Sequence, residues 1–123
     1  KDFIKKSRRV RKVLGGGMRQ AGIIAAGGLY AMKNNIERLQ IDHDNAHLLA
    51  NAALENPKIE SVGKVETNIL MLNINSDSKE MVADLATKGI LCYPMDPRRV
   101  RIVTHLDNSQ EQIAQAAEIL RKI

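Results

Sequence analysis

The sequence predicts a run of helices over residues 1–54 followed by a small α+β domain over residues 55–123. Three observations carry that reading. Through residue 54 the apolar residues recur at three- and four-residue spacing, interrupted by glycines. From Thr67 onward the rhythm changes to short apolar runs and capped amphipathic segments in the order β-α-β-β-α, the pattern of a sheet with helices on one face. Between the two lies Asn56-Pro57, and the residue before a proline is pushed out of helical geometry.

Taken in order, Asp2 is placed to cap a first helix in which Phe3, Val10 and Leu14 share one face. Gly15, Gly16 and Gly17 stop it. Met18 to Met32 is apolar and built from small residues, too hydrophobic for an exposed helix and too short for a bilayer. It is expected to be a helix buried against other protein, with Gly22, Gly27 and Gly28 allowing close approach. So short a chain has little with which to cover it, so a missing domain or a partner subunit is expected. Residues 33–54 read as one long amphipathic helix with Ile36, Leu39, Ala46, Ala50 and Ala53 on a single stripe. Val62 to Val65 is an edge-strand candidate and Thr67 to Ile74 a buried strand. Asp77 with Glu80 opens a helix through Val82 and Leu85 that ends at Gly89. Ile90 to Tyr93 and Val100 to Thr104 are the remaining strands. Ser109 and Gln112 form a capping box for a last helix with Ile113, Ala116, Ala117 and Leu120 inward.

Composition narrows the function. The chain of 123 residues is long enough for one moderate core, and with aromatic residues at 2% that core must be aliphatic. A single cysteine, Cys92, excludes an internal disulfide. The formal charge of +5 is not spread evenly: residues 1–19 carry a net +7 and the remainder −2. The basicity therefore marks one patch for an anion rather than a generally cationic surface. With one Phe, two Tyr and no Trp, a base-stacking platform is poorly supplied, so nucleic acid is not an expected partner, and no stretch reaches the ~18 apolar residues of a membrane span, so neither is a membrane. Lys1 is not an initiator methionine and no targeting pattern precedes the first helix, so a piece of something longer, cytoplasmic in location, is expected.

Four constellations could carry chemistry. The glycine stretch lacks GxxxxGK[ST], and Gln20 stands where a dinucleotide fold would place its third glycine. What remains is a helix start with free amides beside Lys12 and Arg19, suited to a phosphate or carboxylate, or else a plain glycine hinge. His43 and His47 sit one helical turn apart, yet the only other histidine, His105, lies in a different element and a solvated helix face is the simpler reading, so no metal site is expected. Cys92 lies in an apolar run with no base beside it and reads as a small core hydrophobe. Arg99 and Arg101 alternate with Val100 and Ile102, which puts two cations on one strand face. There a guanidinium is either a bidentate carboxylate clamp or half of a surface ion pair.

RKVLGGGMRQAGIIAAGGLYA, ETNILML and VRIVTHLD together resemble the threonine aldolases, which use pyridoxal 5′-phosphate (PLP) and share the large aspartate-aminotransferase fold. The resemblance covers essentially the whole chain. It implies an α/β enzyme of PLP fold type I, of which this chain is a linking helical segment plus the small α+β carboxy-terminal domain. On that resemblance Arg19, Lys12, Gly16 and Gly17 serve the cofactor phosphate and Arg101 grips the α-carboxylate of a small amino-acid substrate. The implied reaction is retro-aldol cleavage of L-threonine or L-allo-threonine to glycine and acetaldehyde. The lysine that carries the cofactor belongs to an SKGLG-type segment absent here, so no catalytic residue is expected in this chain and the chain alone is expected to be inactive. The implied partners are an amino-terminal large domain and further copies of the same subunit, as a dimer of dimers. Two alternatives stay open: another PLP-dependent lyase or transferase of the same fold group, and a non-catalytic module that binds anions or nucleic acid.

Overall fold

In the computed structural model, which covers residues 1–123, nine elements follow one another. They are α1 (Asp2–Val13), α2 (Gly22–Asn34), α3 (Leu39–Leu54), β1 (Ile59–Val62), β2 (Ile69–Ile74), α4 (Ser78–Thr87), β3 (Tyr93–Asp96), β4 (Arg99–Val103) and α5 (Gln110–Lys122). The β-α-β-β-α order expected from Thr67 onward is the one observed. The elements form two compact units, Lys1–Ile36 and Glu37–Ile123.

In the second unit, alternation along the strands builds a one-sided sheet. Leu70, Leu72 and Ile74 of β2 and Val100 and Ile102 of β4 are buried, while Ile69, Met71, Asn73, Arg99, Arg101 and Val103 are not. The order is β1-β2-β4-β3 with every neighbour antiparallel, and Met71 stands opposite Arg101. One core joins the buried strand face to Ala46, Leu49, Ala50 and Ala53 of α3, Met81 and Leu85 of α4, and Ile113, Ala117 and Leu120 of α5. The absence of aromatics is met by alanine: small residues on α3 let this helix lie close on α5 and the sheet.

Packing moves the division between units to 36/37 from the expected 54/55, because α3 shares its buried alanines with the sheet rather than with the helices before it. The expected helix over 33–54 is likewise two helices with a turn at Asn35–Arg38. Asn34 and Asn35 favour local side-chain bonds over helix continuation; the Asn34 amide donates to the Tyr30 carbonyl at 2.8 Å. Arg38 then makes a bidentate pair with buried Asp42 at 2.9 and 2.8 Å in the first turn of α3. Ile36 and Leu39, expected on the inward stripe, are exposed.

Two strands also shift. β1 runs over Ile59–Val62 instead of Val62–Val65, and β3 over Tyr93–Asp96 instead of Ile90–Tyr93. Pro94 cannot donate to a ladder, yet β3 is an edge strand and has a free side on which that costs nothing. The local caps fall where the sequence places them. Asp77 accepts from the Lys79 and Glu80 amides, Ser109 and Gln112 complete a capping box, and Gly89 takes φ +86 after α4.

In the first unit, none of the α1 or α2 side chains is buried within this chain. Asp2 lies inside the first turn of α1 without capping it. The helix closes as a Schellman motif: the Gly16 amide donates to the Arg11 carbonyl at 2.8 Å and the Gly15 amide to that of Lys12 at 3.2 Å. Gly15 takes φ +83, which is the left-handed conformation the motif requires. α2 starts at Gly22 rather than Met18, because Gln20 at φ +53 takes the chain out of helical geometry just before it.

Candidate functional site

Two arginines leave the same strand face, and their surroundings differ. Arg99 pairs with Asp96 across the tight Pro97-Arg98 turn, and Asp96 also accepts from the Arg98 amide at 3.0 Å. Those contacts hold the Asp96 carboxyl below the usual carboxylate range, the Arg98 amide first and the Arg99 side chain second. Arg101 takes part in no ion pair. Its Nε is covered and has no acceptor, one of two such side-chain atoms in the protein beside Asn45 Nδ2. Leaving a buried donor of a charged group unpaired costs free energy on the order of 1–3 kcal/mol. Of the two sequence readings, the surface ion pair therefore describes Arg99, whereas Arg101 has no such partner.

Arg101 opens onto a shallow pocket of about 290 Å³ that it lines with Leu91, Cys92, Tyr93, Val103 and His105. The Tyr93 ring lies 5.8 Å from the guanidinium carbon. Sequence reading missed Tyr93, since it took Ile90 to Tyr93 as the strand and left the face of the ring undefined. The chain just past β4 is firmly tied. Thr104, buried at the end of β4, donates its hydroxyl to the Asp42 carbonyl at 2.6 Å, and its amide donates to Asn68 at 2.9 Å. The Asn68 amide returns a bond to the Thr104 carbonyl at 2.6 Å, and His105 N–H donates to Asn108 Oδ1 at 2.9 Å. Thus VRIVTHLD runs from β4 into a turn whose start is hydrogen-bonded to α3, and its strand part carries a guanidinium without an ion pair.

Cys92 packs against the core from the segment before β3, and burial pushes its thiol up to about 11. At neutral pH it is the unreactive thiol, in keeping with its reading as a small hydrophobe. His43 is half-buried, His47 is exposed, and no group of three His, Cys, Asp or Glu side chains converges anywhere.

The glycine loop has its own local account. A Cβ on Gly16 would come within 2.7 Å of Arg11 Cγ and 3.1 Å of the Arg11 carbonyl, and one on Gly17 within 2.3 Å of Lys12 Cδ. Lys12 folds back over Gly17 and donates Nζ to its carbonyl at 3.3 Å. Lys12 and Gly17 are thus together, whereas Arg19 is exposed two residues on and α2 begins beyond it. Gly15 and Gly16 are needed first of all to end α1. Lys12 and Arg19 are the cations of this loop, and no carboxylate lies between them in the sequence.

Residues 1–77 match the model of the beta-eliminating lyase family. The chain is 42% identical over 117 residues to a low specificity L-threonine aldolase of Escherichia coli (strain K12), covering 95% of this chain and 34% of that protein. It is 37% identical to a probable low-specificity L-threonine aldolase 2 of Arabidopsis thaliana over 100% of this chain and 36% of the relative. Against a probable low-specificity L-threonine aldolase of Schizosaccharomyces pombe the identity is 36%, over 99% of this chain and 31% of the other. The chain spans about a third of the length of the relatives it matches. The family match takes in the glycine loop and ends at residue 77, before β4 and Arg101, and on that match the chain belongs to the beta-eliminating lyases.

Proposed function

We propose that this chain is the carboxy-terminal part of a PLP-dependent threonine aldolase and that Arg101 binds the α-carboxylate of the substrate. The observation that carries this is the guanidinium itself: half-buried, without an ion pair, its Nε covered and unsatisfied, on a strand whose end is hydrogen-bonded to α3. The reaction we infer is cleavage of L-threonine or L-allo-threonine to glycine and acetaldehyde, a reading supported by relatives named low-specificity L-threonine aldolase.

Arg101 contributes orientation. Two parallel N–H···O bonds to a carboxylate fix both its position and its plane, and the bonds at Cα are then fixed with it. PLP, when bound, supplies the electron sink for the Cα–Cβ bond that breaks, and the protein determines which bond that is. Lys12 and Arg19 present the cations suited to the cofactor phosphate, with the Gly16 and Gly17 stretch between them. On this reading the lysine bonded to the cofactor, and the base that takes the β-hydroxyl proton, lie in a large amino-terminal domain. The chain alone is accordingly inactive, and the assembled enzyme is a dimer of dimers.

Two substitutions in the complete protein separate these roles. Arg101→Lys keeps the charge and loses the planar fork, so KM for threonine should rise about ten- to a hundredfold with cofactor affinity spared, the loss of about 1.5–3 kcal/mol. Arg19→Ala should weaken cofactor binding instead, and added salt should then affect the variant less than the parent. Cofactor loss on Arg101→Lys with unchanged amino-acid affinity would overturn the carboxylate assignment. Unchanged cofactor affinity in Arg19→Ala would return the glycine loop to a helix terminus and nothing more.

A further inference from the structure

We propose that Tyr93 is a positioning residue for Arg101, its ring fixing the guanidinium plane so that the N–H edge is presented to the substrate carboxylate. The inference rests on the carboxylate reading of Arg101 above.

The register of the β3–β4 hairpin places the ring there. Asp96 opposes Arg99 across the two-residue turn. Continued without interruption, that register would put Pro94 opposite Arg101 and Tyr93 opposite Ile102, whose side chain is buried in the core. Instead Pro94 opposes Val100 and Tyr93 opposes Arg101, with the shift falling at Met95. A slip of one residue moves a side chain to the other face of a sheet, and bulges are a means of re-aiming one. The extra residue at Met95 thus takes Tyr93 from the row of a core isoleucine to the row of the unpaired arginine, on the open face.

The contact fits that task. At 5.8 Å from the ring centroid, Arg101 Cζ lies within the roughly 6 Å over which a cation and an aromatic face attract. A cation–ring contact needs no N–H···acceptor bond, whereas an ion pair such as that of Arg99 with Asp96 would occupy the donors a ligand needs. Met71, opposite Arg101 on the other side, offers no charge. The long arginine side chain is therefore ordered in advance of binding, and ordering it at the moment of binding is the cost that is removed.

The test uses the complete protein and three variants, Tyr93→Phe, Tyr93→Leu and Arg101→Lys, with glycine binding by calorimetry beside steady-state kinetics. Tyr93→Leu should raise the Kd for glycine and the KM for threonine about three- to thirtyfold, with kcat and cofactor affinity within about twofold of the parent. Tyr93→Phe keeps the ring and should stay close to the parent. Adding Tyr93→Leu to Arg101→Lys should change the glycine Kd less than it does alone, because the fork it orients is gone. If Arg101→Lys weakens glycine binding while Tyr93→Leu does not, Tyr93 has no positioning role and the carboxylate reading survives. If neither weakens it, both fall. Equal losses in Tyr93→Phe and Tyr93→Leu would assign the effect to the hydroxyl and overturn the stacking role.

Discussion

Asn56 shows how much a single polar side chain does in a core without aromatics. It is fully buried at the end of α3, and its amide donates to the carbonyls of Leu120 at 2.7 Å and Ile123 at 2.9 Å, while its Oδ1 accepts from the Lys58 amide at 2.9 Å. One residue thereby satisfies the last carbonyls of α5 and turns the chain into β1. Asn56→Ala leaves those carbonyls buried without a donor and should cost about 2–4 kcal/mol, seen as a lower urea midpoint with an unchanged slope. A loss under about 0.5 kcal/mol would mean that water replaces the amide. In the sequence Asn56-Pro57 is legible as a helix stop, because that signal is local. Its service to α5, more than sixty residues on, is not, since no pattern announces a partner so distant. Arg101 divides the same way: its type and strand face are legible, but that Arg99 and not Arg101 takes the available carboxylate depends on a turn and is visible only in the fold.

Elements were legible in proportion to how local their signals are. Asp77, Gly89 and the Ser109–Gln112 pair mark helix ends through bonds spanning a few residues, and each stands where it was expected. Ser109→Ala should lower stability by about 1 kcal/mol and fray the first turn of α5 in hydrogen exchange, whereas Ser109→Asp should retain most of the cap. Equal protection of the α5 amides in parent and Ser109→Ala would show that packing of Ile113 and Leu120 holds the helix alone. The β3–β4 hairpin was less legible, because Pro94 argues against a strand unless the edge position is known, and the bulge leaves no period-2 trace. Its turn also carries a pH dependence. The Asp96 carboxyl is held low in the folded protein, so its contribution is present above the unfolded carboxylate pKa and is lost as pH falls through the folded one. Because that aspartate is half-exposed, salt should mute the effect.

At the scale of the whole molecule, the two units rest on different physics. Glu37–Ile123 has a sheet, three helices and one aliphatic core, all within its own span. Lys1–Ile36 has two helices of 12 and 13 residues with no side chain buried in this chain, and Ile23 is left 89% exposed. Helices of that length are marginal alone in water, and α1 has the further burden of clustered like charges. Such an apolar α2 beside a cationic α1 was legible from composition as a segment in need of cover, which the proposed large domain and neighbouring subunits would supply. What composition could not place was α3, whose alanines look like a linker's until the sheet is there to receive them. Expressed alone, Glu37–Ile123 should therefore unfold in urea in a single cooperative transition, and the backbone N–H groups of its core strands and helices should exchange slowly. A synthetic Lys1–Ile36 peptide should be mostly coil by far-ultraviolet circular dichroism and gain helix when salt screens α1 or when trifluoroethanol is added. A broad, sloping transition for Glu37–Ile123 would mean that its core is completed by residues outside that span. In that case Arg101 would be held in place only in the assembled protein, since the Thr104 bond that ties the end of β4 to α3 depends on the same core.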